Sequence, residues 1–194
     1  MIIFLGSDSA YKLFKPLIEE SKDHKPNIVV SCQYNHKIPK SLIDSHICVN
    51  IHYGDLPRYA GCNPIFWQII ESDSAAATLH YVDEGFDSGD IIAKSNIPIS
   101  RLNADELHEE LERRGFILFN RLYKRILAGT APRTKQDLSL RVYRSKNKVD
   151  FDLLNEVGSK DPKLIRALHF EGKQYPKMVI GDREYEIRSC DASI

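Results

Sequence analysis

Two periods of hydrophobic and polar positions run through this chain, and the places where one gives way to the other mark its elements. Residues 2–5 are a short apolar run closed by Gly6 and Ser7. After it Tyr11, Leu13, Phe14, Leu17 and Ile18 recur at helical spacing. This predicts strand, turn and helix, with the helix ending in the polar, proline-closed stretch 22–26. Residues 27–32 (NIVVSC) are continuously apolar enough for a strand buried on both faces. Pro39 breaks any helix in the next stretch, so a short turn is expected at 41–44. A third strand at 47–49 delivers Asn50 and His52, which stand two apart and therefore project from one face. Gly54, Pro57 and Gly61 keep any regular element from continuing, which places this polar pair at the mouth of a loop.

Further along, Ile65, Phe66, Ile69 and Ile70 share one helical stripe behind an early Pro64, and Trp67 falls off that stripe, either to pack against a neighbouring element or, as the alternative, to cover the site loop. Residues 75–82 alternate, with Ala77, Leu79 and Tyr81 against Thr78, His80 and Val82, and lead into the acidic turn DEGFDSGD. Another extended stretch covers 91–99. The longest helix is predicted over 102–128, with Leu107, Leu111, Leu118, Leu122 and Ile126 toward the core, stopped by Gly129 and Pro132. The tail carries a short helix at 162–170 and a hairpin of 177–180 with 184–187 around Gly181-Asp182. The reading is an α/β chain with a catalytic unit over 1–130 and a small C-terminal α+β subdomain over 131–194.

Composition narrows the function classes. The 42% hydrophobic and 28% charged content fits a soluble globular protein, and no apolar run nears the roughly 18 residues of a membrane span, so the cytoplasm is the expected compartment. Cys32, Cys48, Cys62 and Cys190 are too scattered for a zinc or redox motif and read as reduced thiols. Lys and Arg total 27 against 27 Asp and Glu, so no global field draws in a nucleic acid. Charge is uneven only over 133–148, where Arg133, Lys135, Arg141, Arg144, Lys146 and Lys148 face a single Asp137. That segment reads as a solvated basic surface, with a phosphate landing site as the functional alternative.

The acidic turn gives the polar pair a third member. If the strands before His52 and before Asp87 run parallel, their loops open at one sheet edge and bring the carboxylate to the imidazole. A carboxylate fixes an imidazole's tautomer, and a nearby carboxamide can donate to a developing oxyanion, which is equipment for acyl transfer without a covalent enzyme intermediate. His52, His80, Asp83 and Asp87 are a conceivable ligand set, but their spacing matches no zinc pattern and His80 alternates onto a strand face, so no metal is expected. Ser7 and Ser9 sit where a helix starts, as caps or as aids to phosphate binding.

The run NIHYGDLPRYAGCNPIFW followed by TLHYVDEGFDSGDII resembles the folate-dependent formyltransferases, the family of methionyl-tRNA formyltransferase, glycinamide ribonucleotide transformylase and the sugar N-formyltransferases. The family's Asn-x-His matches Asn50 and His52. Its Leu-Pro-x-aromatic-x-Gly matches Leu56, Pro57, Tyr59 and Gly61, and its Asp-x-Gly matches Asp87 and Gly89. The resemblance covers about residues 1–130, with a weaker similarity at KLIRAL, residues 163–168. It implies a Rossmann-like formyltransferase fold with a shortened, mostly parallel sheet. It further implies Asn50, His52 and Asp87 as the catalytic three and 10-formyltetrahydrofolate as formyl donor, with no metal. Donor contacts are implied at Ser31, Tyr34, Asn35, His36, Lys37, Ile38, Val82, Glu84 and Gly85, and acceptor contacts at Ser7, Tyr53, Tyr59, Asn63, Trp67 and Arg166.

Within that family, NPIFW and the compact tail look most like the sugar N-formyltransferases, so the implied partner is a sugar nucleotide or other small amine, with no nucleic acid and no membrane. The chain departs from the family pattern at Gly54, where a serine is common, at Asp55 and at Ala60, all of which bear on the acceptor. A strand–helix portion also looks absent between residues 22 and 27. Two alternatives follow: a shortened relative that binds folate or sugar nucleotide without turnover, and a 10-formyltetrahydrofolate hydrolase. The sheet edge that such shortening leaves unpaired points to a homodimer.

Overall fold

The computed structural model describes residues 1–22, 27–145, 161–170, 177–180 and 183–186. Lys146 and Lys148, the predicted turn at Gly181-Asp182 and the proposed gap after residue 22 lie outside the described residues. Strand β1 (Ile2–Gly6) leads into helix α1 (Asp8–Glu20), whose first turn is capped by the Ser7 side chain accepting from the Ala10 amide. Strand β2 (Ile28–Cys32) is buried throughout, as its unbroken apolar run requires. Pro39 does not prevent a helix. It stands immediately before α2 (Lys40–Ser45), where a proline costs no hydrogen bond.

Strand β3 (Ile47–His52) extends three residues beyond its predicted end, so Asn50 and His52 lie inside the strand rather than in the loop after it. Then come β4 (Tyr59–Gly61), α3 (Pro64–Glu71), β5 (Ser74–Tyr81), β6 (Ile91–Pro98) and α4 (Ala104–Leu127). Helix α4 opens with a full capping box between Asn103 and Glu106. Its buried residues are Ala104, Leu107, Leu111, Gly115, Phe119 and Ile126, so Leu118 and Leu122 flank the predicted stripe rather than centre it. After a single 3-10 turn at Leu138–Leu140 come β7 (Val142–Arg144), helix α5 (Pro162–Leu168) and the hairpin β8 (Lys177–Ile180) with β9 (Arg183–Glu186).

The central sheet has the order β1-β2-β3-β5-β6, an α/β, Rossmann-like arrangement. It is parallel across β1, β2 and β3, but β5 runs antiparallel to β3 and β6 antiparallel to β5. The expected parallel pairing of the strands before His52 and Asp87 is therefore corrected. The connection through β4 and α3 brings the chain back at the end of β3, with Thr78 level with His52. The chain re-enters the sheet at the edge where β3 ended and runs back along it.

One face of the sheet packs on α1, α3, α4 and α5 around Phe14, Ile51, Leu79, Leu107, Leu111 and Phe119. The approach is close enough that a Cβ on Gly115 would collide with Ile51. The other face carries a smaller cluster of Val29, Ile38 and Cys48, against which Leu42, Ile43 and Val82 pack. Farther along, that same face turns polar.

Candidate active site

On that face β3 presents Asn50 and His52, and the antiparallel register sets Asn50 opposite His80 and His52 opposite Thr78. Residues 83–90 leave β5 at the far end and double back over these side chains. The Asp87 carboxylate thus arrives by a different route from the predicted one: its Oδ1 lies 3.6 Å from His52 Nδ1 and 3.4 Å from Asn50 Nδ2, and its Oδ2 accepts from the Gly61 amide at 2.9 Å. The three predicted residues meet. A fourth, His80, meets them, with Nε2 3.1 Å from Asn50 Nδ2 and 3.7 Å from Asp87 Oδ1, the latter beyond hydrogen-bonding distance. Sequence reasoning set His80 aside as a strand-face residue. Its cross-strand partner was the missing signal, and only the direction of β5 supplies it.

The proton positions follow from the neighbours. His52 Nε2 lies 2.7 Å from the Tyr59 carbonyl, which can only accept, so Nε2 carries a hydrogen and the neutral ring leaves its lone pair at Nδ1, facing Asp87. His80 Nδ1 lies 2.8 Å from the Tyr81 carbonyl and donates to it, so its Nε2 accepts from Asn50. Burial works against ionisation of Asp87, but it is outweighed by His52 and His80, which attract the carboxylate in their protonated forms, and by the Gly61 amide, so the carboxyl is held well below its ordinary 3.8. His52 is 7% exposed and His80 2%, so these groups are buried and yet paired.

Gly54 explains itself here. A Cβ at that position would stand 2.6 Å from His52 Nε2 and 2.7 Å from the Tyr59 carbonyl. A serine, common in the resembled family, would displace the imidazole from this carbonyl. Gly61, at φ 89°, turns beneath β7, where its parallel pairing with Arg144 leaves no room for a side chain. Gln68, fully buried, fixes the intervening loop by donating to Tyr53 O and accepting from the Asp55 and Ala76 amides.

A recess of about 70 Å³ opens on this centre, lined by Ser31, His36, Lys37, Ile38, Asn50, His80, Val82, Gly85, Phe86 and Asp87 among others. It therefore gathers six of the nine expected donor residues. Tyr34 instead packs on the Val29 cluster, Asn35 is exposed, and Glu84 is exposed and ion-paired with Lys40. Behind the Asp87 loop lies a larger cleft of about 520 Å³, edged by His46, Asp90, Arg133 and Lys135, which contains none of the catalytic three.

The expected acceptor residues are mostly spent elsewhere. Arg166 donates to the carbonyls of Ile99 and Leu102 and pins α5 to the turn before α4. Tyr53 points to the core face, its hydroxyl between Cys32 Sγ and Glu112, and burial raises its pKa far above the usual value. Tyr59 is buried beside Arg144 and Arg58, so it is its carbonyl, not its ring, that reaches the site. Trp67 packs edge-on against Phe66 and under Arg144. Ser7 caps α1, and Asn63 begins α3 in a left-handed conformation without a side-chain capping bond. The described cations of the basic segment are likewise engaged: Arg133 and Lys135 with Asp90, Arg141 with the Phe86 carbonyl, and Arg144, itself buried, with Glu71.

The formyl transferase family model matches residues 9–125, more than half of the chain. Methionyl-tRNA formyltransferase of Geobacter sulfurreducens is 35% identical over 130 residues, 65% of this chain and 41% of that enzyme. The Geobacter metallireducens enzyme is 30% identical over 156 residues, 78% and 50% of the two chains. This chain thus spans half or less of the curated relatives it matches. Among solved structures, a Mycobacterium tuberculosis protein provisionally described as a sugar N-formyltransferase superposes with a TM-score of 0.80 at 20% identity, over 97% of this chain and 95% of that one. A Helicobacter canadensis N-formyltransferase, determined with folinic acid and dTDP-3-aminofucose, gives 0.75 at 20% identity, over 93% and 84%. At those identities the likeness is one of fold. On the sequence match over residues 9–125, the chain belongs to the formyl transferase family.

Proposed function

We propose that this protein is an N-formyltransferase that moves a formyl group from 10-formyltetrahydrofolate to the primary amine of a small acceptor, a nucleotide-linked amino sugar. One observation carries the reading: in a chain of this family, Asn50, His52, His80 and Asp87 converge on a buried polar face beneath a single loop. Fold alone would not support it. The donor would enter the recess between residues 36–38 and 82–87. At about 70 Å³ that recess takes only part of such a donor.

In the proposed reaction the acceptor amine attacks the formyl carbon and the C–N10 bond to tetrahydrofolate breaks. The oxygen of the tetrahedral intermediate takes an Asn50 N–H, replacing the long 3.4 Å contact to Asp87 while the bond to His80 holds the amide in place. The amine proton passes to Nδ1 of His52, the one ring nitrogen with a free lone pair, and from there to N10 as it leaves. Asp87, ionised throughout, faces the imidazolium while it exists, and the Tyr59 carbonyl keeps the ring from turning.

Support for a small acceptor comes from the basic segment, where Arg144 is buried against Glu71 and Arg141 holds the Phe86 carbonyl, which leaves Arg133 and Lys135 as its exposed cations beside Asp90. The methionyl-tRNA formyltransferases among the sequence relatives favour a second acceptor, methionyl-tRNA. Competition between a dTDP-linked amino sugar and methionyl-tRNA for labelled formyl donor tests the choice. Label is expected on the sugar. Label on the tRNA alone contradicts the proposal, and label released as formate without any amine marks a hydrolase.

A further inference from the structure

Asp87 reaches its three partners from an unfavourable backbone. Its φ is 52°, in the left-handed region, which a residue other than glycine keeps only if its surroundings hold it. Much of that hold comes from outside the loop. Gln136 Nε2 donates to the Asp87 carbonyl at 3.0 Å and to the Gly89 carbonyl at 2.7 Å, so both hydrogens of one amide are used on this turn. Arg141 donates to the Phe86 carbonyl, and Thr134 exchanges two backbone bonds with Ile91 at the loop's exit. Gln136 Oε1 is buried with no hydrogen-bond partner. Exchanging the amide's two ends would set that oxygen against two carbonyls, so the orientation is fixed by the donors. Segment 134–144 then continues into β7, which pairs with β4 and thereby holds Gly61, whose amide binds the other oxygen of Asp87.

We propose that Gln136 is a positioning residue for Asp87: it locks the left-handed turn that aims the carboxylate at His52 and Asn50. The segment after α4 is on this account part of the catalytic apparatus rather than a separate appendage. The inference rests on formyl transfer being the activity, but one of its readouts does not.

The test combines kinetics with amide hydrogen exchange. Gln136→Ala is expected to lower kcat about ten- to a hundredfold, with a smaller change in KM for the formyl donor, because the reacting groups are misplaced while the wall at residues 36–38 is untouched. Gln136→Lys, whose ammonium can donate to both carbonyls, is expected to recover most of that loss, whereas Gln136→Glu, which cannot donate, is not. Independently of turnover, the Gly61 amide should exchange faster in Gln136→Ala, as in Asp87→Ala. The Cys62 amide, bonded to the Arg144 carbonyl at 2.8 Å, should keep its protection.

Unchanged kcat with unchanged Gly61 protection overturns the proposal. So does loss of protection at Gly61 and Cys62 together, or failure of the lysine variant to recover activity, since either means that Gln136 only holds its own segment in place. If the unmutated protein transfers no formyl group, the functional reading fails while the exchange result still decides the role of Gln136.

Discussion

Strands β3 and β5 are buried to the same degree on both faces, and the two faces have opposite chemistry. Toward α4 stand Ile51 and Leu79, at 2% and 0% exposure; toward the Asp87 loop stand His52, Thr78 and His80, at 7%, 0% and 2%. Burial does not separate a core from a site. Satisfaction of polar groups does: Thr78 donates to Gly54 O at 2.6 Å, His80 bonds Tyr81 O and Asn50, and His52 donates to Tyr59 O with Asp87 3.6 Å from its other nitrogen. A buried polar group left without a partner costs on the order of 1–3 kcal/mol, so such a face persists only when every member is paired. The apolar face needs volume; the polar face needs geometry.

Substitutions on the two faces should therefore separate activity from stability. The largest effect is expected from Asn50→Ala, which removes the proposed oxyanion donor: kcat should fall by about 10² to 10³, with circular dichroism and thermal midpoint close to those of the parent. Equal activity in that variant would place the chemistry elsewhere. Ile51→Ala, one residue along on the other face, should show the reverse. It should lose about 2–5 kcal/mol in urea unfolding while the folded fraction keeps its turnover.

The pH dependence sharpens the contrast further. Because the Asp87 pKa is depressed in the folded protein, its stabilising contribution is present in full above its ordinary 3.8 and is lost as pH falls through the folded value. The stability advantage of the parent over Asp87→Asn should hold steady above about pH 5 and shrink below about pH 4, in unfolding curves taken across that range. An advantage that grows on acidification would contradict the assignment. The smallest effect belongs to Lys40→Ala, which removes exposed ion pairs to Asp44 and Glu84 at the rim of the recess. Thermal stability should be nearly unchanged, with faster donor association as the measurable consequence.

How much of this could be read from the sequence depended on whether the signal was local. The β1–α1–β2 start, the long helix and the shared face of Asn50 and His52 follow from periods of 3.6 and 2, which each segment carries within itself. The direction of β5 is not local. It depends on where the connection through β4 and α3 returns the chain to the sheet, and with it went the pairing of His80 to Asn50 and the true path of the Asp87 loop. The three-residue ladder between β4 and β7 is too short to leave a period, so the segment from residue 133 read only as the exposed basic surface that it is, and not also as the strand that pairs beside the site. Acceptor contacts transferred by analogy carry no local signal at all, because a matching residue type says nothing about which face receives it. Tyr53 and Arg166 are engaged in packing and in holding backbone.

The measurement closest to the central claim is the release of tetrahydrofolate from 10-formyltetrahydrofolate in the presence of a dTDP-linked amino sugar, followed for the parent and for Asp87→Asn. Amine-dependent release by the parent, reduced at least about a hundredfold in the variant, is the predicted result. Release that is equal in the two proteins, or that does not depend on the amine, would contradict a formyl transfer organised by this polar face.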